Sequence, residues 1–385
     1  MKINPALQST LAGVAVLSLL IYVLACATSF SPDDRQVLYP SFDPQTGAAS
    51  VAVYDRQTGH SQTVFSAAEA EAATNQQPAL LRAAWLGDGR HILIAEAEHD
   101  HGLQLFVLPR GVNEPLRHFS ISGANEPAAL LQFPFAVASG KLFLNGDGYS
   151  PARLDLVTGE ISGGGKATNQ ISVLPAPDGK SLIAFRDLKE NGGMEFGTFD
   201  PETMQLRVLG AETNVTEGTV PAFDPASGRL TLVTKADDQL KLQITKNGTT
   251  EFARALGHSG GKLKVGPFLQ PAPDGKTVMT AYCAEIAART NSEYGLLEIP
   301  LNSEPLRFTP LFTVTNQDDA GLILAQPSLS HDGRTWAIGT ACLYLQNESL
   351  KPDDCALFLV DLSKPDRPVT KVPIQVPAQR KRLVK

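Results

Sequence analysis

Beyond residue 35 the apolar positions fall into short runs that either alternate with polar residues or stay apolar, and each run ends at Gly, Asp, Asn or Pro. Runs of roughly four to eight residues bounded in this way predict strands; a helix would repeat its apolar positions every three or four residues over a longer window. The pattern is clearest in Leu269-Gln-Pro-Ala-Pro-Asp-Gly-Lys-Thr-Val-Met-Thr-Ala-Tyr282. Asp-Gly between two such runs marks a hairpin, because Gly accepts the positive φ the turn requires. The same phrase returns at Asp88-Gly89, Asp178-Gly179 and Asp332-Gly333, in looser form at Asp224 to Gly228 and Gly140, and at Asp43 to Gly47. A further apolar run follows each turn, as in Leu103–Leu108, Ala152–Leu156, Phe196–Asp200, Leu240–Ile244, Gly295–Ile299 and Ala356–Asp361. Only Ala67–Ala73, rich in Ala and Glu, predicts a short helix in this region.

The turn glycines Gly47, Gly89, Gly140, Gly179, Gly228, Gly275 and Gly333 recur every roughly 40–50 residues, with four strands per unit, which is the signature of a β-propeller. The expectation is an all-β, seven-bladed propeller over residues 36–376, preceded by an N-terminal hydrophobic helix in 1–27 and a linker at 28–35, and followed by a basic tail at 377–385. Unit one lacks the innermost strand that precedes the turn elsewhere. A ring closed by its termini leaves no exposed edge, so Val369–Val376 is expected in or beside the sheet of residues 36–65.

The Pro-Asp-Gly-Lys/Arg turn, an apolar strand after it and a further strand ending near Asp together resemble the WD40-like repeat of TolB-type propellers. The resemblance runs over nearly all of the chain after residue 36. It implies the propeller fold and little about activity. TolB-type proteins carry an extra N-terminal domain for which this sequence has no room, so their partners are not implied.

Residues 1–27 differ from the rest. Lys2 is the only charge, and Leu11 to Ala27 is apolar or small throughout, about 25 Å as a helix and marginal for a bilayer. A basic start, an apolar core and small residues at its end make an export signal. Ala25-Cys26-Ala27 fits a cleavage site; Val23-Leu-Ala-Cys26 resembles the bacterial lipobox, in which Cys26 would be lipidated and Ala27 after it would favour the outer membrane; an uncleaved anchor is the third reading. All three put the body of the protein outside the cytoplasm, on the periplasmic side of a bacterial membrane. An oxidising compartment permits a disulfide, and Cys342 and Cys355 flank one loop, which would leave Cys283 a buried free thiol; Cys283–Cys342 is the alternative pairing.

Net charge is −7, which gives nucleic-acid binding no electrostatic support. Against it stands the tail Arg380-Lys-Arg-Leu-Val-Lys385, either simply solvated or a dock for anionic lipid or an acidic partner. Gly257-His-Ser-Gly-Gly261 has the spacing of a nucleophile elbow, but a strand-like run follows it where the elbow needs a helix. Glu96-Ala-Glu-His-Asp-His101 is the densest group of metal-ligand types, with His99, Asp100 and His101 the weak candidates; a zinc site needs three or four ligands, and a polar loop explains the group as well. Ser162-Gly-Gly-Gly-Lys166 misses the phosphate-loop spacing. Asp318-Asp319 and Asp353-Asp354 lack the alternation of a Ca²⁺ loop. Asn214, Asn247 and Asn347 begin glycosylation triplets that matter only in a eukaryotic secretory host. Trp85 and Trp336 flank their turns and are expected to pack between blades.

No catalytic constellation and no cofactor site emerges. The expected role is a protein-binding or scaffold module of the bacterial cell envelope, tethered to a membrane through its N-terminus. The competing readings are a propeller enzyme of lactonase or lyase type, acting at the channel mouth, and an accessory subunit of a membrane complex.

Overall fold

The computed structural model describes residues 26–376 except 44, 76–77, 79–80, 88–90, 99–101, 110–114, 122–135, 147–148, 165–170, 177–180, 189–192, 214–220, 237–238, 267, 287–290, 316–324 and 347–349. Its strands form seven antiparallel sheets, each with four strands in sequence order, called a to d from the inside outward. Blade 1 is Ser29–Phe30, Gln36–Phe42, Ala49–Asp55 and His60–Ser66; blade 2 is Arg82–Trp85, His91–Glu98, Gly102–Pro109 and Arg117–Ile121. Blade 3 is Ala136–Ala138, Lys141–Gly146, Tyr149–Asp155 and Ile161–Gly163; blade 4 is Ile171–Pro175, Leu182–Leu188, Gly193–Asp200 and Gln205–Thr213. Blade 5 is Ala222–Asp224, Arg229–Ala236, Gln239–Lys246 and Thr249–Leu256. In blade 6 strand a comes in two pieces, Leu263–Val265 and Gln270–Pro271, followed by Thr277–Ile286, Asn291–Pro300 and Arg307–Thr315. Blade 7 is Ser328–Leu329, Thr335–Gly339, Ala356–Asp361 and Val369–Pro373. Ser66 caps the helix Ala67–Thr74 through a reciprocal pair with Glu69, which satisfies otherwise orphaned amide groups.

The hydrophobic clusters lie between blades. Leu38, Val51 and Phe65 of blade 1 meet Trp85, Ile92 and Phe106 of blade 2; Phe143 of blade 3 meets Phe199 of blade 4; Phe196 of blade 4 meets Phe223 of blade 5. Each sheet therefore buries both faces against its neighbours, which is why the middle strands read as unbroken apolar runs. Trp85 and Trp336 both sit in these interfaces, and Trp336 is completely buried. Strands c and d slip register at Phe196/Gly197 in blade 4 and at Tyr294/Gly295 in blade 6. A Cβ on Gly197 would lie 2.0 Å from the Arg207 carbonyl oxygen, and one on Gly295 2.1 Å from that of Thr309, so only glycine allows the approach.

Arginines fasten neighbouring blades at one end of the ring. Arg117 donates to the Leu156 carbonyl at 2.6 Å, Arg153 to that of Pro201 at 3.1 Å, and Arg254 to that of Pro300 at 2.9 Å. In each case a guanidinium from one blade reaches the carbonyls around the next blade's c–d turn.

Three expectations are corrected at the closure of the ring. Residues 28–35 are not a linker: Ser29–Phe30 is strand a of blade 1. The first a–b turn is consequently Ser31 to Arg35, with Asp34 at φ 57° in the place glycine takes elsewhere; Gly47 belongs to the b–c turn. Val369–Pro373 pairs with Ala356–Val360 as strand d of blade 7 and does not join the sheet of blade 1. Blades 1 and 7 each come from one continuous stretch, and no strand is exchanged between them. The seam is closed by Cys26–Ala27, which pairs in parallel with Ala325–Gln326, the residues just ahead of strand a in blade 7. Thr28 continues the zipper, its hydroxyl 2.9 Å from that of Ser328 and donating to the Ala337 carbonyl at 3.1 Å. Apolar and small residues suit this buried position as well as they suit a signal segment, and Ala27 is completely buried.

Candidate functional site

Antiparallel alternation gives the disc two unlike faces. The a–b and c–d turns lie at one end of every blade, and the b–c and d–a connections at the other. The first face is made of tight turns. Asp43, Asp55, Asp155 and Asp200 show the turn chemistry used on both faces: each carboxylate accepts two backbone N–H groups, as Asp55 does from Gln57 and Thr58 at 2.9 Å. The second, loop face carries the longer connections, including the helix Ala341–Gln346 and the single 3₁₀ turn Pro352–Asp354 between strands b and c of blade 7.

The best-formed polar cluster among the described residues is at this loop end of blade 6. The connection from blade 5 carries His258, whose ring packs edge-on to Phe308 at 4.8 Å and against Tyr282 at 6.2 Å. Tyr282 donates to Glu293 at 2.6 Å, and His258 Nε2 lies 3.9 Å from the same carboxylate oxygen. Nδ1 accepts the Gly260 N–H at 3.1 Å, so the neutral ring carries its proton on Nε2, facing Glu293. Burial, and then the hydrogen bond to and charge of Glu293, push the Tyr282 phenol far above its ordinary range; it stays a donor.

This geometry explains Gly257 to Gly261 without a nucleophile. Nδ1 is taken by the Gly260 N–H and Nε2 carries the proton, so neither nitrogen is left to activate Ser259, which is exposed. The chain continues into strand a, and a Cβ on Gly261 would lie 2.9 Å from the Glu285 carbonyl oxygen. The glycines let the loop press on strand b. The spacing of the motif centres on its serine, but the residue that makes contacts is the histidine, and its pairing with Tyr282 and Glu293 depends on strand register across blade 6.

The other expected sites fall out as follows. His99, Asp100 and His101 lie outside the described residues, as do Asp318 and Asp319; among the described residues no group of three potential metal ligands converges. Asp354 is paired with Lys371 at 3.4 Å. Gly163 and Gly164 have φ of 85° and 78°, and a Cβ on Gly163 would strike Met204, so Gly163 serves the contact between blades 3 and 4. Cys283 is a buried free thiol, held above the ordinary thiol range chiefly by burial. Cys355 is buried, while the side chain of Cys342 is outside the described set. Among the described residues no helix is long and apolar enough to cross a membrane.

No protein family matches the sequence, and no curated protein matches it. Solved structures do. A prolyl endopeptidase superposes with a TM-score of 0.50 at 11% identity, over 85% of this chain and 47% of that one. An oligogalacturonate lyase in complex with manganese gives 0.49 at 13% identity, over 88% and 85%. TolB from Acinetobacter baumannii gives 0.40 at 14% identity, over 72% and 66%. At these identities the likeness is one of fold alone; the seven four-stranded sheets make this chain a seven-bladed β-propeller.

Proposed function

We propose that this protein is an exported propeller, tethered to a membrane through its N-terminal segment, that acts as a protein-binding or scaffold module in the bacterial cell envelope. The observation that carries the reading is the position of Cys26–Ala27. The apolar segment that begins at Leu11 runs directly into a strand built into the ring seam, so an anchor there would be joined to the disc without a flexible linker. The rest of the ring supports a scaffold: blades fastened by arginines and buried aromatic interfaces hold two broad faces rigid, as a docking platform requires. Lipidation at Cys26, cleavage after Ala27 and a retained helix remain distinct forms of this proposal. Retention and lipidation both fit the seam, because both keep Cys26 and Ala27, whereas cleavage after Ala27 removes the residues that pair with Ala325–Gln326.

The test is crosslinking in intact cells followed by capture of the tagged full chain from solubilised membranes, with mass spectrometry of the mature N-terminus. A defined envelope protein recovered in constant ratio supports the reading. Recovery of the chain from the soluble fraction, with a mature N-terminus beyond Phe30, removes it. The enzyme reading draws on one observation, the His258–Tyr282–Glu293 cluster on the loop face. Turnover of a lactone or an acidic polysaccharide that His258→Gln abolishes would favour it.

A further inference from the structure

We propose that this protein pairs with a second copy of itself through the outer edge of blade 4, an inference that goes beyond the tethered reading and does not depend on it. The outer strand of each blade is a sheet edge with no further strand on it. In blades 1, 4 and 6 strands c and d slip register at the same point of strand d, at Thr63-Val64, Val208-Leu209 and Pro310-Leu311. Val64 and Leu311 are partly buried against the cores, Thr63 is polar and Pro310 has no N–H to offer, which are ways of keeping an edge from pairing. Blade 5 slips at Thr250-Glu251, both polar. Blade 4 uses none of these devices. Val208 and Leu209 are 42% and 45% exposed, and Gln205–Thr213 contains no Lys and no Pro. Among the described residues no other outer strand presents two adjacent, exposed, large apolar side chains.

The charges on either side of that pair choose the occupant. Arg207 lies across from Thr198 and Glu212 across from Met194. Thr198 and Met194 sit four residues apart on strand c, so Arg207 and Glu212 share one face of the sheet but stand roughly 13 Å apart, too far to pair with each other. Neither makes an ion pair among the described residues, and one carboxylate oxygen of Glu212 is buried with no hydrogen-bond partner. A half-buried charge of this kind is costly until a counter-charge reaches it. An antiparallel strand of the same sequence answers both residues at once. In the register that sets Arg207 against Glu212 of the second copy, Glu212 meets its Arg207, Val208 meets Ala211 and Leu209 meets Gly210. Each bulge then faces the two smallest side chains of the opposite strand. Opposite charges across antiparallel strands favour pairing and like charges oppose it, so a purely acidic or purely basic partner would be attracted at one end and repelled at the other. The contact is its own complement, as a two-fold interface requires.

The experiment is sedimentation equilibrium of the full chain in a non-ionic detergent over about 1–100 µM, the range a small edge-to-edge contact should occupy. The wild type is expected to pass from monomer to dimer. Arg207→Glu and Glu212→Arg each turn two attractive contacts into two repulsive ones, and each should weaken the dimer about tenfold or more. An equimolar mixture of the two variants should associate again, as should the double exchange on one chain. Val208→Pro copies the residue that blade 6 accepts opposite Gly295, where blade 4 has Val208 opposite Gly197. It should leave the melting temperature near that of the wild type and abolish association. A wild type that stays monomeric at the highest concentration overturns the proposal; if Leu209→Lys then loses an envelope protein that the wild type captures, the edge belongs to a different partner. A dimer that survives every substitution overturns the assignment to blade 4. Variants that dissociate singly but fail to associate when mixed overturn the antiparallel register.

Discussion

The Asp34 carboxylate holds His331 across the ring seam: it accepts the His331 backbone N–H at 2.9 Å and the ring Nδ1 at 2.8 Å, while its second oxygen accepts the Asp332 N–H at 3.0 Å. Asp34 stands where glycine stands in sister turns, at φ 57°, so blade 1 gives up an easy turn for a side chain that closes the ring. Arg56 completes the clasp, donating to the Asp34 carbonyl and to the Thr335 hydroxyl. Asp34→Ala loses the charged hydrogen bonds and keeps the strained backbone, so a loss of about 2–3 kcal/mol is expected. Asp34→Gly loses the same bonds but relaxes the turn, and is expected to be about 1 kcal/mol better than the alanine variant. Urea unfolding gives the order wild type, Gly, Ala. An alanine variant as stable as wild type would show the clasp to be idle.

Glu298 and Arg367 join blades 6 and 7 more tightly still. Arg367 gives Nε and Nη2 to the two oxygens of Glu298 at 2.9 and 2.8 Å, and Glu298 is 4% exposed. Removing the cation strands a buried carboxylate, which costs about 3–5 kcal/mol. Arg367→Ala is therefore expected to be far worse than the charge-removing pair Glu298→Leu with Arg367→Met, which leaves nothing unpaired. A double-mutant cycle in urea measures the difference. If Arg367→Ala costs under about 1 kcal/mol, the pair carries no weight at this interface.

Much of the ring was legible because its turns are chemically marked. Gly275 and Gly333 have φ of 65° and 69°, and the Asp-Gly pairs announce them in the sequence for that reason. Blade 1 hides its first turn for the same reason inverted: Asp34 takes the conformation glycine takes elsewhere, so the nearest visible glycine, Gly47, marks the b–c turn instead. Ser29–Phe30 and Cys26–Ala27 were hidden because a two-residue strand has no periodicity and the segment before it has the composition of a signal. Val369–Val376 is expected in or beside the sheet of blade 1 because that blade looks one strand short; Val369–Pro373 is instead strand d of blade 7, its neighbour. The polar cluster at His258 was invisible, since Tyr282 and Glu293 lie 11 residues apart on adjacent strands and meet only through their register.

Acid should loosen the turns before the cores. Asp43, Asp55, Asp155 and Asp200 are held below the ordinary carboxylate range, first by the backbone N–H of Thr46, Thr58, Thr158 and Thr203 respectively. A carboxyl whose pKa is lower folded than unfolded contributes stability above the unfolded value, about 3.9, and that contribution is lost as pH falls through the folded value. Melting temperature is expected to be flat near neutrality and to drop below about pH 4. With all four replaced by Asn, which keeps an acceptor oxygen but does not titrate, the drop should be shallower. Calorimetry from pH 7 to pH 3 on both proteins checks this; parallel curves would mean that the turn carboxylates are not linked to folding.

The cysteines should divide by oxidation state. The Thr340 N–H and hydroxyl reach the Ala356 carbonyl at 3.0 and 3.1 Å, and the Ala356 N–H returns to the same hydroxyl at 2.9 Å. The chain is thereby drawn together just outside Cys342 and just beyond Cys355, which is what a bond between those two residues requires of the backbone. We expect protein folded under oxidising conditions to hold Cys342–Cys355, closing a short loop and adding about 3 kcal/mol. Cys283 should remain a thiol that iodoacetamide reaches only after denaturation, since burial raises its pKa and only the thiolate attacks. Non-reducing peptide maps, with alkylation before and after urea, distinguish the cases. A Cys283–Cys342 peptide would mean that strand b of blade 6 bonds to the blade 7 connection instead. Alkylation of both Cys342 and Cys355 in the folded, oxidised protein would mean that the loop is held only by Thr340 and Ala356, and a Cys342→Ser/Cys355→Ser variant would then melt at the wild-type temperature with or without reductant.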